Sequence, residues 1–377
     1  MFHWFESLIS LSDPGSPWFW LGVAVLLLGV LLVAVMGLAV KLRLSNNRRS
    51  AHWGQVESKR QPQLLDYLAG DLYIDEIHKD LSRRDEPVFI ELLARYAGQV
   101  QGHERSMIED LAAPLLSSIA QKASSKKTGI RARAVRLLGI LGLPRYRDTI
   151  IFALNDSQLP VRMAAAQALI HNPNCQDVEA VLDHLDQFDE VTDNYMSSLL
   201  ACAGIEAQPY MRIFMAMTDP PPALRAIAAR ALLLMKDYEA AEMVSEIISP
   251  EMPPRLMITC FDILAELGNT THAQSIRNLL PLNEAPAFAA ACRALGQIGN
   301  ESDLPTLVLG MEDPSPWVNL AAGRALGNLK AVKELEHFLD EDFLRAELAR
   351  EILDSIIIEQ PEEPMLMGDP PAEGLIG

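Results

Sequence analysis

A unit of about 31 residues recurs from residue 129 onward, and no other feature limits the fold of this chain so tightly. The clearest copies are GIRARAVRLLGILG (129–142), LPVRMAAAQALI (159–170), PALRAIAARALLLM (222–235), PRLMITCFDILAELG (254–268), PAFAAACRALGQIG (286–299) and PWVNLAAGRALGNL (316–329). A degenerate copy, DNYMSSLLACAG, fills 193–204. One register position holds Arg131, Arg162, Asn194, Arg225, Arg255, Ala287 and Asn319, at steps of 30–32 residues. Pro160, Pro222, Pro254, Pro286 and Pro316 fall where helices open, where a missing N–H costs nothing. Gly142, Gly204, Gly268 and Gly299 fall where they close, and a left-handed cap is expected there.

Between these segments lie shorter amphipathic ones, roughly 146–154, 177–185, 209–217, 238–248, 272–280, 304–311 and 333–339. They carry apolar residues at helical spacing, as in Val178, Val181, Leu182 and Leu185. Each unit therefore reads as a helical hairpin. A lone hairpin cannot bury its apolar face, so neighbours must stack. Alanines such as Ala164, Ala165, Ala166 and Ala168 favour helix and allow close helix approach. The expected class is all-α: an α-solenoid of hairpins over 129–358, preceded by one transmembrane helix.

The pattern Asp-x-x-x-x-Val-Arg-x-x-Ala-Ala-x-Ala-Leu at 156–169, with kin at 219–232 and 313–326, resembles the short HEAT-like repeats. That class includes phycobilisome-lyase-type repeats and ordinary HEAT scaffolds. The resemblance implies a right-handed stack of about seven to nine hairpins with an extended binding face. It also implies that Arg131, Arg162, Arg225 and Arg255 form a structural ladder to loop carbonyls or to the Asp of a neighbouring turn. Asn194, Ala287 and Asn319 would interrupt that ladder. The fold does not fix the function, since such arrays serve mostly as binding surfaces and occasionally as enzymes.

Upstream, residues 18–40 (WFWLGVAVLLLGVLLVAVMGLAV) form a 23-residue run without charge. As a helix it would be about 35 Å long, enough to cross a hydrocarbon core of about 30 Å. Trp18 and Trp20 sit at one end as interfacial anchors, and Lys41, Arg43, Arg48 and Arg49 follow the other. Residues 1–40 hold no Lys or Arg. The positive-inside rule then places a short tail (1–17) outside and the remainder in the cytoplasm, at an inner membrane of bacterial type. A cleaved signal peptide would have a basic start and a shorter apolar run. A basic juxtamembrane linker is expected over 41–62, a helical cap over 63–128 and an acidic, Pro-rich disordered tail over 359–377. Within the cap, helices are expected at 64–81, 87–97 and 104–122.

The formal net charge is −18, and residues 61–377 carry 26 basic against 47 acidic side chains. That balance argues against nucleic-acid binding, which needs clustered cations. The four cysteines (Cys175, Cys202, Cys260, Cys292) are too scattered for a disulfide framework or a metal knot. Common catalytic and nucleotide-binding motifs are absent. The best metal candidate is Asp183, His184, Asp186, Asp189, Glu190 and Asp193, which reads better as a solvated helix end. No cofactor and no small-molecule substrate are expected. Met211, Met215, Met217 and Trp317 are the candidate partner contacts, since Met-rich surfaces adapt to apolar helices. The expected function is a membrane-anchored, non-enzymatic scaffold that binds protein partners. Alternatives are an accessory subunit of a membrane glycosyltransferase or polysaccharide synthase, and a bilin-lyase-like enzyme.

Overall fold

The structure is a computed structural model describing residues 17–142, 144–171, 176–340 and 343–359. Side chains at 17–19, 22, 23, 25, 39, 42, 44–46, 48, 49, 176, 343 and 357–359 fall outside the description. The expectations for the two terminal tails, for Cys175, and for the side chains of Trp18, Arg48 and Arg49 therefore lie outside the described residues. Helices and turns, and no strands, are found among the described residues. The chain divides into two compact units, Met1–Ile119 with Ile140–Gly142, and Ala120–Gly139 with Leu143–Gly377.

In the first unit, α1 spans Pro17–Leu68 without interruption. The segment 41–62, expected to be a linker, is thus helical. Its composition explains this: Arg, Lys, Gln, Glu and Ala are good helix formers, and the one proline, Pro62, does not end the helix. From residue 20 to 40 the described apolar side chains are exposed, including the consecutive runs Leu26–Leu28 and Val30–Val33. Among the described residues, no helix is long and apolar enough to cross a membrane. Further along, Val56, Arg60, Leu64 and Tyr67 recur at helical spacing and are buried. The helices that follow are α2 (Ile74–Lys79), α3 (Glu86–Ala97) and α4 (His103–Lys122).

The face of α1 carrying those residues packs on α3, whose Phe89, Ile90 and Leu93 are fully buried. The ends of this unit are fixed by long-range hydrogen bonds. Arg60 donates to the Asp80 carbonyl (2.5 Å), and Tyr67 Oη donates to the Met107 carbonyl (3.2 Å). Arg95 pairs with Glu57 (2.5 Å) and lies 5.4 Å from the Trp53 ring centre. The helix expected over 64–81 is broken, because Gly70 takes a left-handed φ of 87° between α1 and α2.

In the second unit the period becomes paired helices. The first helices are α5 (Thr128–Leu141), α7 (Leu159–Ile170), α9 (Asp193–Ala201), α11 (Pro222–Leu234), α13 (Pro254–Leu267), α15 (Ala285–Ile298) and α17 (Pro316–Asn328). The second helices are α6 (Arg147–Ala153), α8 (Gln176–Leu182), α10 (Gln208–Ala216), α12 (Glu239–Ile247), α14 (Ala273–Arg277), α16 (Leu304–Met311) and α18 (Val332–Glu336). α19 (Phe343–Glu359) follows α17 as its neighbour.

Each first helix packs on the next, in the order α9, α11, α13, α15, α17 and α19. Small residues set the approach. A Cβ on Gly296 of α15 would lie 2.6 Å from the Ala325 Cα of α17, and one on Gly139 of α5 would lie 2.2 Å from the Ala168 Cβ of α7.

The helix ends depart from expectation at Gly268 and Gly299, whose φ of −78° in both cases is extended rather than left-handed. These glycines are demanded by space instead. A Cβ would fall 2.3 Å from the carbonyl oxygen of Leu264 or Leu295. Gly204 does take the left-handed form (φ 82°), and Lys236 and Lys330 take it after α11 and α17 (φ 55° each).

Candidate interaction surface

The repeated register position folds its side chain back onto the end of the preceding second helix and the turn that follows it. Arg162 donates to the Asp156 carbonyl (3.0 Å), and Arg225 donates to the Met215 carbonyl (2.8 Å). Asn319 donates from Nδ2 to the carbonyls of Gly310, Met311 and Asp313 (3.1, 2.9 and 2.8 Å). These acceptors lie in the last turn of the preceding second helix or in the turn after it, so the side chain satisfies carbonyls that no helix ladder reaches.

The interruption expected at Asn319 is therefore corrected. A short amide placed closer to the turn satisfies the same class of acceptor as the longer guanidinium. Arg131 binds the Ser125 carbonyl (2.9 Å) and also forks onto both Asp156 carboxylate oxygens (2.8 Å each) in the next turn. The fork holds the Asp156 carboxyl below its ordinary range, against the opposing pull of partial burial. Arg255 stands apart: it is exposed and pairs with the Asp193 carboxylate, not with a turn carbonyl.

The second helices carry a different set of bonds, which run from one second helix to the start of the next. Arg147 of α6 pairs with Asp177 of α8, Arg212 of α10 with Asp237 before α12 (2.9 Å), and Arg277 of α14 with Asp303 before α16 (2.6 and 2.8 Å). All three aspartates are buried. Asp303 also accepts from the Asn300 amide (2.9 Å) and Asp237 from the Glu239 amide (3.2 Å), so each orders the entry to its helix as well. Burial pushes both carboxyls up. At Asp237 it prevails over Arg212, and the pKa is raised. At Asp303 the Arg277 fork and the Asn300 amide outweigh it, and the pKa is lowered.

The proposed partner contacts separate on inspection. Met211 and Met215 are fully buried beneath α10 and α11, so neither meets a partner in this fold. Their spacing of four residues places them on the inward face of α10, and thioethers fill such gaps well. Met217 lies past the end of α10 and is half-exposed, while Trp317 is 76% exposed at the start of α17. Trp317 borders a shallow pocket of about 310 Å³ with Leu320, Leu344 and Leu348. Trp20, Lys41 and Arg43 are exposed on α1.

A larger groove of about 980 Å³ crosses the outer side of α13, α15, α17 and α19. Its floor is small-residue helix surface, including Gly296, Ala325 and Gly327. Its rim is charged: Asp262, Glu266, Arg293, Arg324 and Lys330 line it. The arginines come from the Arg-Ala-Leu triplet that also contains Arg230. That triplet was readable as a periodic exposed cation, but its neighbours across the groove were not.

Other chemistry is sparse. Among the described residues no group of three His, Cys, Asp or Glu could hold a metal. Within the acidic stretch, Glu190 pairs with Arg162 (3.5 Å), Asp193 with Arg255, and His184 sits 2.8 Å from the Ala180 carbonyl. Burial pushes the Cys260 and Cys292 thiols up to about 12, which keeps them protonated, whereas Cys202 is exposed.

The HEAT repeats family matches residues 283–352, which span α15 to α18 and the first part of α19 and include Arg293, Arg324 and Lys330 of the groove's rim. No curated protein matches the chain. Among solved structures, human deoxyhypusine hydroxylase in complex with glycerol is similar over 68% of this chain and 100% of its own, at 17% identity and a TM-score of 0.29. The complex of CpcE and CpcF of phycocyanin lyase from Nostoc sp. PCC7120 is similar over 64% of this chain and 94% of its own, at 20% identity and a TM-score of 0.26. The family match covers the last units of the array, and recurring helix pairs run through the units before them.

Proposed function

We propose that this protein is a membrane-anchored scaffold whose HEAT-like array faces the cytoplasm and binds protein partners without catalysis. The observation that carries the reading is the first half of α1. Its described apolar side chains are exposed over consecutive positions, so no single stripe could be hidden by one neighbouring helix. A helix that is apolar all round belongs in a core or in lipid, and the basic residues after position 40 orient it by the positive-inside rule. Tethering would raise the effective concentration of the array near other membrane proteins without any new contact. The array's side chains are occupied with structural bonds, and its open surfaces are a charged groove and a tryptophan-edged pocket, which suit polypeptide binding.

Fractionation and protease protection test the reading together. The full chain should sediment with membranes and resist extraction at high salt or alkaline pH. The array should be cut by protease only after the cytoplasmic face is opened. Recovery in the soluble fraction, or digestion of the array in intact spheroplasts, overturns the anchor. Affinity purification from solubilised membranes should enrich specific proteins over a control carrying residues 1–68 alone. Equal recovery by both overturns the scaffold.

A further inference from the structure

The pocket and the groove lie end to end along one furrow, between α17 and α19. The pocket sits near the start of both helices, where Trp317 and Leu320 meet Leu344 and Leu348. The groove takes over at Ala321 and Ile352, which follow directly on Leu320 and Glu351 of the pocket. Trp317, Leu320, Arg324 and Asn328 recur at helical spacing, so they line one face of α17. Glycines bring the walls together. A Cβ on Gly323 would lie 3.0 Å from the Ile352 Cδ1, and one on Gly327 would lie 2.6 Å from its Cγ2. Helices this close leave a seam too narrow for a third helix about 10 Å across, whereas an extended chain can lie along it. From Trp317 to Lys330 the furrow runs about 20 Å, the reach of about six extended residues.

Charge gives the furrow a direction. Of the groove's acids, Asp262 is held by Arg293 and Glu266 by Lys236 (2.7 Å each). Arg324 and Lys330 are exposed and make no ion pair among the described residues. At the pocket end the exposed acids Glu347 and Glu351 are likewise unpaired among the described residues, and Arg345 beside them donates to the Glu312 carbonyl (3.1 Å). The furrow thus passes from an apolar end with acids on its α19 wall to a basic end. We propose that it takes an extended segment of another protein. A bulky apolar residue sits against Trp317, Leu320, Leu344 and Leu348. An acidic residue two or three positions away, at about 3.3 Å each, meets Arg324. A basic residue on the other side meets Glu347 and Glu351. The apolar residue supplies most of the affinity, because binding energy concentrates at such an aromatic anchor. The charged flanks set register and reject the opposite charge order. This inference rests on the partner-binding half of the function proposed above and not on the anchor.

Panning a display library of random dodecapeptides on the full chain, in mild detergent, tests it. Enriched sequences should share basic, bulky apolar and acidic positions in that order, read from either end. Trp317→Ala should weaken the best of them roughly tenfold or more. Phe152→Ala, a comparably exposed aromatic on α6, should leave their binding unchanged. Panning on Arg324→Glu should replace the acidic position by a basic one. All three sites are exposed, so each variant should keep the parent's circular dichroism spectrum. No enriched sequence, equal loss in Trp317→Ala and Phe152→Ala, or an acidic position that survives Arg324→Glu overturns the proposal. A dimer in light scattering that Trp317→Ala abolishes would assign the furrow to a second copy, and overturns it too. If Trp317→Ala and the parent recover the same proteins from solubilised membranes, the scaffold stands and the furrow falls.

Discussion

The two layers of the array use the same residue types to opposite ends. On the first helices, Arg162, Arg225 and Asn319 turn back to carbonyls six to ten residues earlier, so each first helix is tied to the end of the second helix or turn just before it. On the second helices, Arg147, Arg212 and Arg277 reach 25–30 residues forward to buried aspartates, so each unit is fastened to the next. The first layer can afford local bonding because its helices already share long, tightly approached faces, with Ala325 against Gly296 and Ala168 against Gly139. The second helices are short. α14 spans only Ala273–Arg277, too little apolar surface to fix its neighbour by packing alone. Charge-assisted forks supply direction where contact area cannot.

The contrast can be broken most severely at Arg277. Arg277→Leu leaves Asp303 buried without its cation and should cost about 3–5 kcal/mol. Urea unfolding of the full chain should show it, with the midpoint falling and loosening greatest around α16. If the variant unfolds like the parent, the second layer is not fastened by charge. Asn319→Leu attacks the first layer. It strands carbonyls within one turn and should cost about 1–3 kcal/mol. Hydrogen exchange should rise at the start of α17 and the end of α16 and not in α15, because the lost bonds join α17 only to the helix and turn just before it. Exchange spreading equally to α15 would erase the distinction between the layers.

Acid sharpens the comparison within the second layer. The Asp303 carboxyl lies below its unfolded value near 3.9, so its contribution is present above that pH and is lost as pH falls through the folded pKa. The Asp237 carboxyl lies above it, so ionised Asp237 works against folding and acid relieves that cost. Thermal melts from neutral pH to about pH 3 should therefore move in opposite senses. Asp303→Asn should lose less stability on acidification than the parent, and Asp237→Asn should lose more. Slopes of the same sign would overturn the assignment. The smallest effect is expected at Arg255, whose pairing is exposed. Arg255→Ala should change stability by about 0.5 kcal/mol or less in the same urea titration, as surface ion pairs do.

The sequence reading was strongest where short-range periodicity decides the outcome. The seven first helices, their opening prolines and the shorter second helices follow from apolar spacing and local backbone chemistry. The terminal helix over 343–359 is legible in the same way. It failed where two similar local patterns have different surroundings. The methionines of α10 look equally suited to surface or core, and only the placement of α11 buries Met211 and Met215 while leaving Met217 half-exposed. The basic stretch after position 40 looks like a linker by its charge. It continues as helix because its second half offers Val56, Leu64 and Tyr67 to α3.

The repeat, the helical pairing and the all-round apolar run near the start were thus set by the sequence alone, since each depends on residues within a few turns of one another. The partners of the buried aspartates, the space that forbids a side chain at Gly296, and the groove with its charged rim were settled only by the tertiary structure. These features arise between residues 25 or more apart, and a period says that units stack without saying which side chain on one will reach which atom on the next.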